Sequence, residues 1–254
     1  MLGAIYGDKA GSIYEFEQIK KIHAINPQKL IVDNSFYSDD TIETIAVIDA
    51  IINNKEYEKT LREYILKFEN CKPKFQPYFK TTFSPGTIKW VHGEGKSDSI
   101  GNGAMMRVSP VGYLYNTEKD VIYNARLVTI PSHNSCEAIE SATIIALMIY
   151  YFRKGLSKND VFNRLNLPIE YESFKKFNTT CSETLKNCLY VIYNSVSFED
   201  AIRKSLLMGG DTDTNACIIG SVVEALYGMD EVQKEEAIND LPPNFVKILN
   251  KVYK

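Results

Sequence analysis

Cysteine is sparse and unpaired in this chain of 254 residues. Cys71, Cys136, Cys181, Cys188 and Cys217 make an odd number, and no two form a Cys-x-x-Cys pair. A disulfide framework or a thiolate zinc site is therefore not expected, and a reducing cytoplasm fits best. Long apolar runs are also missing. The longest, Ala142 to Phe152, falls short of the roughly 20 residues that span a bilayer, and reads as a buried helix. Asp8 and Lys9 interrupt the first apolar stretch, which argues against a secretory signal. Basic excess is absent: 29 Lys and Arg stand against 32 Asp and Glu, interspersed, for a net charge of −3. That excludes the basic footprint of a general nucleic-acid binder. No internal repeat, low-complexity tract, linker or convincing alternating strand pattern occurs.

What is present is helical periodicity. Residues 1–17 read as a helix on which Gly3, Gly7 and Gly11 form a stripe without side chains, able to admit a neighbouring helix closely. Residues 18–37 read as a loop with a short extended piece at 30–32. Helices are predicted over 41–53, 56–70, 104–115, 118–129, 135–153, 158–164, 181–194, 198–207, 214–227 and 231–238. Asp40 and Glu43 have the spacing of a capping box for the helix at 41. Residues 71–103 are broken by Pro73, Pro77, Pro85 and five glycines, so no long element is expected there. The expectation is all-α: one compact domain over residues 1–254, monomeric and away from membranes.

Two acidic clusters carry the chemistry. Ser38-Asp39-Asp40-Thr41 opens one apolar helix, and Gly209-Gly210-Asp211-Thr212-Asp213-Thr214 opens another. Capping explains one oxygen-bearing side chain at each helix start, not three or four. If the fold brings the clusters together, four carboxylates repel one another unless protons or cations neutralise them. Carboxylate and hydroxyl oxygens without histidine or thiolate suit Mg²⁺ or Mn²⁺. Gly101-Asn102-Gly103 read alone is a turn, and Arg107 could bind a phosphate or tie its helix to Asp98 or another carboxylate.

Several motifs occur in order: Gly7-Asp8-x-x-Gly11, Glu15, Ser38 to Thr41, Gly101-Asn102-Gly103-Ala104-Met105-Met106-Arg107, Ser132-His133-Asn134, and Gly209 to Thr214. Together they resemble the ADP-ribosylglycohydrolase family, that of dinitrogenase reductase-activating glycohydrolase, over residues 1 to about 228. The resemblance implies an all-helical fold and two Mg²⁺ or Mn²⁺ ions held by Ser38, Asp39, Asp40, Asp211, Asp213 and Thr214. It implies that Gly101, Asn102, Gly103 and Ala104 approach the pyrophosphate and distal ribose, with His133 contacting ADP-ribose nearby. Glu15 would be a ligand or an acid/base group, and Glu15, Asp39 and Asp211 are the catalytic candidates. The expected reaction releases ADP-ribose from an ADP-ribosylated protein, nucleic acid or small molecule. A Mg²⁺-dependent nucleotide pyrophosphohydrolase and a non-catalytic ADP-ribose-binding protein are the alternatives. The chain departs from the family pattern at Ser38, where threonine is common, and after His133, where a proline often follows.

Overall fold

The computed structural model of the chain describes residues 1–15, 27–72, 82–170 and 178–253. Helix α1 (Leu2–Gly11) is buried along its whole length. It packs against α12 (Thr212–Tyr227), and the glycine stripe makes the fit possible. A Cβ on Gly3 would sit 2.2 Å from the Gly220 carbonyl oxygen, one on Gly7 2.0 Å from that of Ala216, and one on Gly11 2.3 Å from that of Thr212. Backbone lies where side chains would be, so the two axes approach closely. This contact sets Asp8 beside the start of α12.

Against this pair packs α2 (Asp39–Ile52), with α3 (Tyr57–Phe68) on α2 and α4 (Pro85–Val91) on α3. The short α5 (Gly103–Met106) and α6 (Ser109–Leu114) lead to α7 (Glu118–Thr129) and α8 (Cys136–Arg153). The chain continues through α9 (Lys158–Arg164), α10 (Cys181–Asn194) and α11 (Phe198–Met208), then α12, α13 (Glu231–Ile238) and α14 (Pro243–Leu249). Helices α8, α10 and α11 pack on α12. Ile42, Ile45 and Ile48 of α2 and Ile218, Ile219 and Val222 of α12 are at most 1% exposed and belong to one continuous apolar core. Among the described residues there are no strands, only isolated bridges between Asp98 and His133 and between Gly101 and Thr180. None of the helices described is long and apolar enough to cross a membrane.

The all-α expectation holds, with local corrections. The first helix ends at Gly11, followed by a turn at residues 12–15; residues 16–26 lie outside the described residues. The helix over 104–115 is two helices, broken at Arg107–Val108 ahead of Pro110. The irregular stretch 71–103 contains α4, capped by Ser84 Oγ accepting from Thr87 N at 3.1 Å, with Pro85 at its first position; residues 73–81 lie outside the described residues. No strand forms at 30–32. The capping box at Asp40 and Glu43 does not exist. Ser38 is the N-cap, its Oγ accepting from Asp40 N at 3.2 Å, and Glu43 is held by Arg107 instead.

Candidate metal centre and cleft

Three helix ends converge. From α1 comes Asp8, from the start of α2 come Ser38, Asp39 and Asp40, and from the start of α12 come Asp211, Asp213 and Thr214. Gly209 and Gly210 carry φ of +80° and +77°, a left-handed approach that only glycine adopts without strain, and they deliver Asp211 to the head of α12. Asp211 is the N-cap residue but its carboxylate does not cap. Its Oδ2 accepts from Asn102 Nδ2 at 2.6 Å.

The acids form two groups that share one member. Asp8, Asp40 and Asp213 each offer an oxygen, all within 4.8 Å of one another; Glu15, Asp211 and Asp213 do the same. Asp8 Oδ2 accepts from Ser38 N at 2.9 Å, Thr41 N at 3.1 Å and Thr41 Oγ1 at 2.5 Å, so it fastens the first turn of α2 to α1. Asp40 Oδ2 accepts from Ser38 Oγ at 3.2 Å and Thr214 Oγ1 at 3.3 Å. The other oxygens, Asp8 Oδ1 and Asp40 Oδ1, are buried without a partner.

Such a centre is poorly compensated. Among the described residues no lysine or arginine makes an ion pair with any of these acids. Burial first, and then the Asp213 charge, push Asp8 up to about 7. Burial, followed by the charges of Asp213, Asp211, Asp39 and Asp40, pushes Glu15 up to about 12. Asp39, Asp40 and Asp213 are raised by burial and by neighbouring carboxylates, and Asp211 chiefly by burial. Orphaned buried oxygens in an all-oxygen set, each acid disfavoured as an isolated anion, fit hard divalent cations.

The centre faces a cavity of about 720 Å³. Glu15, Ser38, Asp39, Asp211, Asp213 and Thr214 line one side, and Gly101, Asn102, Gly103 and His133 line another. Asp40 is sealed beneath the floor, 1% exposed. Asp39 lines the cavity but belongs to neither group of three. The glycine loop is pinned from behind: Asn102 N donates to Thr179 O at 2.8 Å, and Cys181 N donates to Ile100 O at 2.8 Å. Ala104 is fully buried and is not among the residues that line the cavity. Arg107, also open in the sequence reading, is 2% exposed and bonds Glu43 Oε2 through Nη1 at 2.6 Å. A second cavity of about 710 Å³ lies beyond Trp90, which lines both. It contains no acid of either group, so volume alone does not identify the site. Sequence reading missed Asp8 as a member of the centre. The signal was a carboxylate inside a glycine-striped apolar helix, where solvent exposure could not explain it.

Comparison with known proteins bears on the family and the fold. Residues 1–243 match the model of the ADP-ribosylglycohydrolase family. The chain is 21% identical to the ADP-ribosylarginine hydrolase Tri1 of Serratia proteamaculans, over 92% of this chain and 72% of the relative. It is 21% identical to the mouse ADP-ribosylhydrolase ARH3, over 91% and 84% of the two chains, and the human protein of that name matches at the same identity. A solved structure described as an ADP-ribosylglycohydrolase-related protein complex superposes with a TM-score of 0.70 at 18% identity, covering 100% of this chain and 97% of the other, and supports the fold. The chain therefore belongs to the ADP-ribosylglycohydrolase family and is a hydrolase of that class.

Proposed function

We propose that the protein hydrolyses the bond between the anomeric carbon of the distal ribose of ADP-ribose and an acceptor atom, releasing ADP-ribose, with two Mg²⁺ or Mn²⁺ ions. The observation that carries this reading is the pair of acid groups sharing Asp213 opposite the glycine-lined wall of one cleft. Asp8, Asp40 and Asp213 would hold one ion, and Glu15, Asp211 and Asp213 the other. Ser38 Oγ and Thr214 Oγ1 stand on Asp40, where they orient it or add ligand oxygens. Bound cations of this kind orient ribose hydroxyls and activate water at neutral pH. The protein's own groups do the rest. Gly101 and Gly103 present backbone without side chains to an anionic pyrophosphate, and Asn102 keeps Asp211 aimed at the cleft. Water oxygen bonds to the anomeric carbon, the bond to the acceptor breaks through an oxocarbenium-like state, and a proton reaches the acceptor. A carboxyl group at the cleft wall transfers that proton. Asp39 is the candidate if Glu15 is a ligand.

The name of Tri1 specifies arginine as the acceptor and that of ARH3 specifies none, so the acceptor is tested directly. ADP-ribosylated arginine, serine and DNA and acylated ADP-ribose are incubated with Mg²⁺, with Mn²⁺ and after chelation. The expected product is intact ADP-ribose, formed only with metal. AMP as product would replace this reading with phosphoanhydride hydrolysis. Tight binding of ADP-ribose with no turnover of any substrate would make the protein a reader.

A further inference from the structure

Behind the glycine loop a row of hydrogen bonds runs from the core to the cleft. Glu43 Oε2 accepts from Arg107 Nη1, and Arg107 Nη2 donates to Val128 O at 3.2 Å and to Ser132 Oγ at 2.7 Å. Ser132 Oγ in turn lies 2.7 Å from His133 Nδ1. On the far edge of the ring, Nε2 faces the loop: a Cβ on Gly103 would be 3.2 Å from it and one on Gly101 3.7 Å. Among the described residues Nε2 has no hydrogen-bond partner, and His133 lines the cleft. A side chain at residue 103 would crowd this nitrogen, so the small loop and the imidazole edge form one surface.

Proton counting fixes the direction of the row. A guanidinium only donates, so Ser132 Oγ accepts from Arg107. Its one hydroxyl proton is then free for His133 Nδ1. The opposite arrangement, Nδ1–H donating to Oγ, would leave the hydroxyl proton of the nearly buried Ser132 without an acceptor among the described residues, which is costly. Burial, and then the Arg107 charge, push His133 down to about 3, so the ring is neutral and carries one proton.

We propose that Ser132 is a positioning residue: oriented by Arg107, it donates to Nδ1 of His133 and holds the proton on Nε2, making that nitrogen a donor to an anionic phosphate oxygen of the ligand beside Gly101 and Gly103. The phosphate follows from the function proposed above; the tautomer does not depend on it.

The chain contains only three histidines, His23, His92 and His133, so the ring can be observed directly. Long-range ¹H–¹⁵N correlation on the ¹⁵N-histidine-labelled full chain, assigned with H133N, separates protonated from unprotonated ring nitrogens. The wild-type protein is expected to show a protonated Nε2 and an unprotonated Nδ1. S132A should lose that preference and weaken ADP-ribose binding, measured by calorimetry, about tenfold, as for loss of a charged hydrogen bond. Its kcat at saturating substrate should stay within about twofold. S132T keeps the hydroxyl and should restore tautomer and affinity. A wild-type ring protonated on Nδ1 overturns the proposal even if S132A fails to fold, and so does an S132A protein that keeps both tautomer and affinity. A wild-type Nε2–H ring in a protein that binds no ADP-ribose would instead sink the assignment of the ligand.

Discussion

Asp213 is the one carboxylate common to both acid groups, so its substitution should be felt at both ion positions. We expect D213N to lower kcat at least about a hundredfold, because metal-assisted hydrolysis draws several kcal/mol from the ions. Elemental analysis of the dialysed protein should show loss of both ions, where D211N loses one. Equal and near-native metal content in both variants would place the ions elsewhere. Glu15 is the residue whose role divides most cleanly. If it is a ligand, E15Q loses an ion; if it transfers a proton, E15Q keeps both ions and slows turnover by about 10²–10⁴. Residue types declared most of this centre in the sequence, since Asp39, Asp40, Asp211 and Asp213 sit in excess of what capping needs. Asp8 could not be assigned there from composition, because its neighbours are chosen by the crossing of α1 and α12. Arg107 was open for the same reason: its choice of Glu43 over Asp98 depends on where α5 ends.

At the scale of the element, the α1–α12 crossing has a sharp test. The nearest atoms to a Cβ on Gly7 are backbone atoms of Ala216 and Cys217, which cannot rotate away. G7A should therefore cost about 1–3 kcal/mol or more, the range for overpacked cores. G86A in α4 meets nothing nearer than Ser84 Oγ at 3.7 Å and should be neutral or stabilise by about 0.4–1 kcal/mol. Urea melts of the two variants provide the comparison, and equal midpoints would deny that the stripe is a packing device. Periodicity made most helices legible, with 118–129, 158–164, 181–194 and 231–238 bounded as they are in the structure. Two helices that open on proline were hidden. Ser84-Pro85 carried a start signal for α4 but stood among prolines and glycines, and α14 opens on Pro243 without a side-chain cap.

For the whole molecule, metal and protons act on stability through different residues. Free metal at a hundredfold over its dissociation constant should add about 2.7 kcal/mol. At this chain length that is about 2–4 °C in Tm for each kcal/mol. A scanning-fluorimetry Tm that does not move with Mg²⁺ or Mn²⁺ would contradict the fit of the acid groups to cations. Asp49 gives a separate pH dependence. Burial would raise its pKa, but hydrogen bonds from Lys55 at 2.7 Å, Tyr64 at 3.0 Å and Asn53 at 2.5 Å outweigh that and hold it below the ordinary carboxylate value. A depressed folded value gives stability that is present above the unfolded pKa and is lost as pH falls through the folded one. D49N should cost about 1 kcal/mol near neutrality, a modest figure because Lys55 stays partly in water. Its Tm should converge with that of the wild type as the medium is acidified through the carboxylate range.

The pairing of α1 with α12 also orders events during synthesis. Ribosomes add on the order of 5–20 residues per second, N-terminus first. The glycine stripe leaves the tunnel long before Thr212, Ala216 and Gly220 exist to receive it. Until then Asp8 and Ser38 belong to a nascent chain with no partner for their half of the centre. Contacts so distant along the chain form slowly, and an apolar first helix left waiting is a natural client for a chaperone. Ribosomes stalled before Asp211 should accordingly carry chains whose first helix is open to protease, and stalling well beyond Tyr227 should protect it.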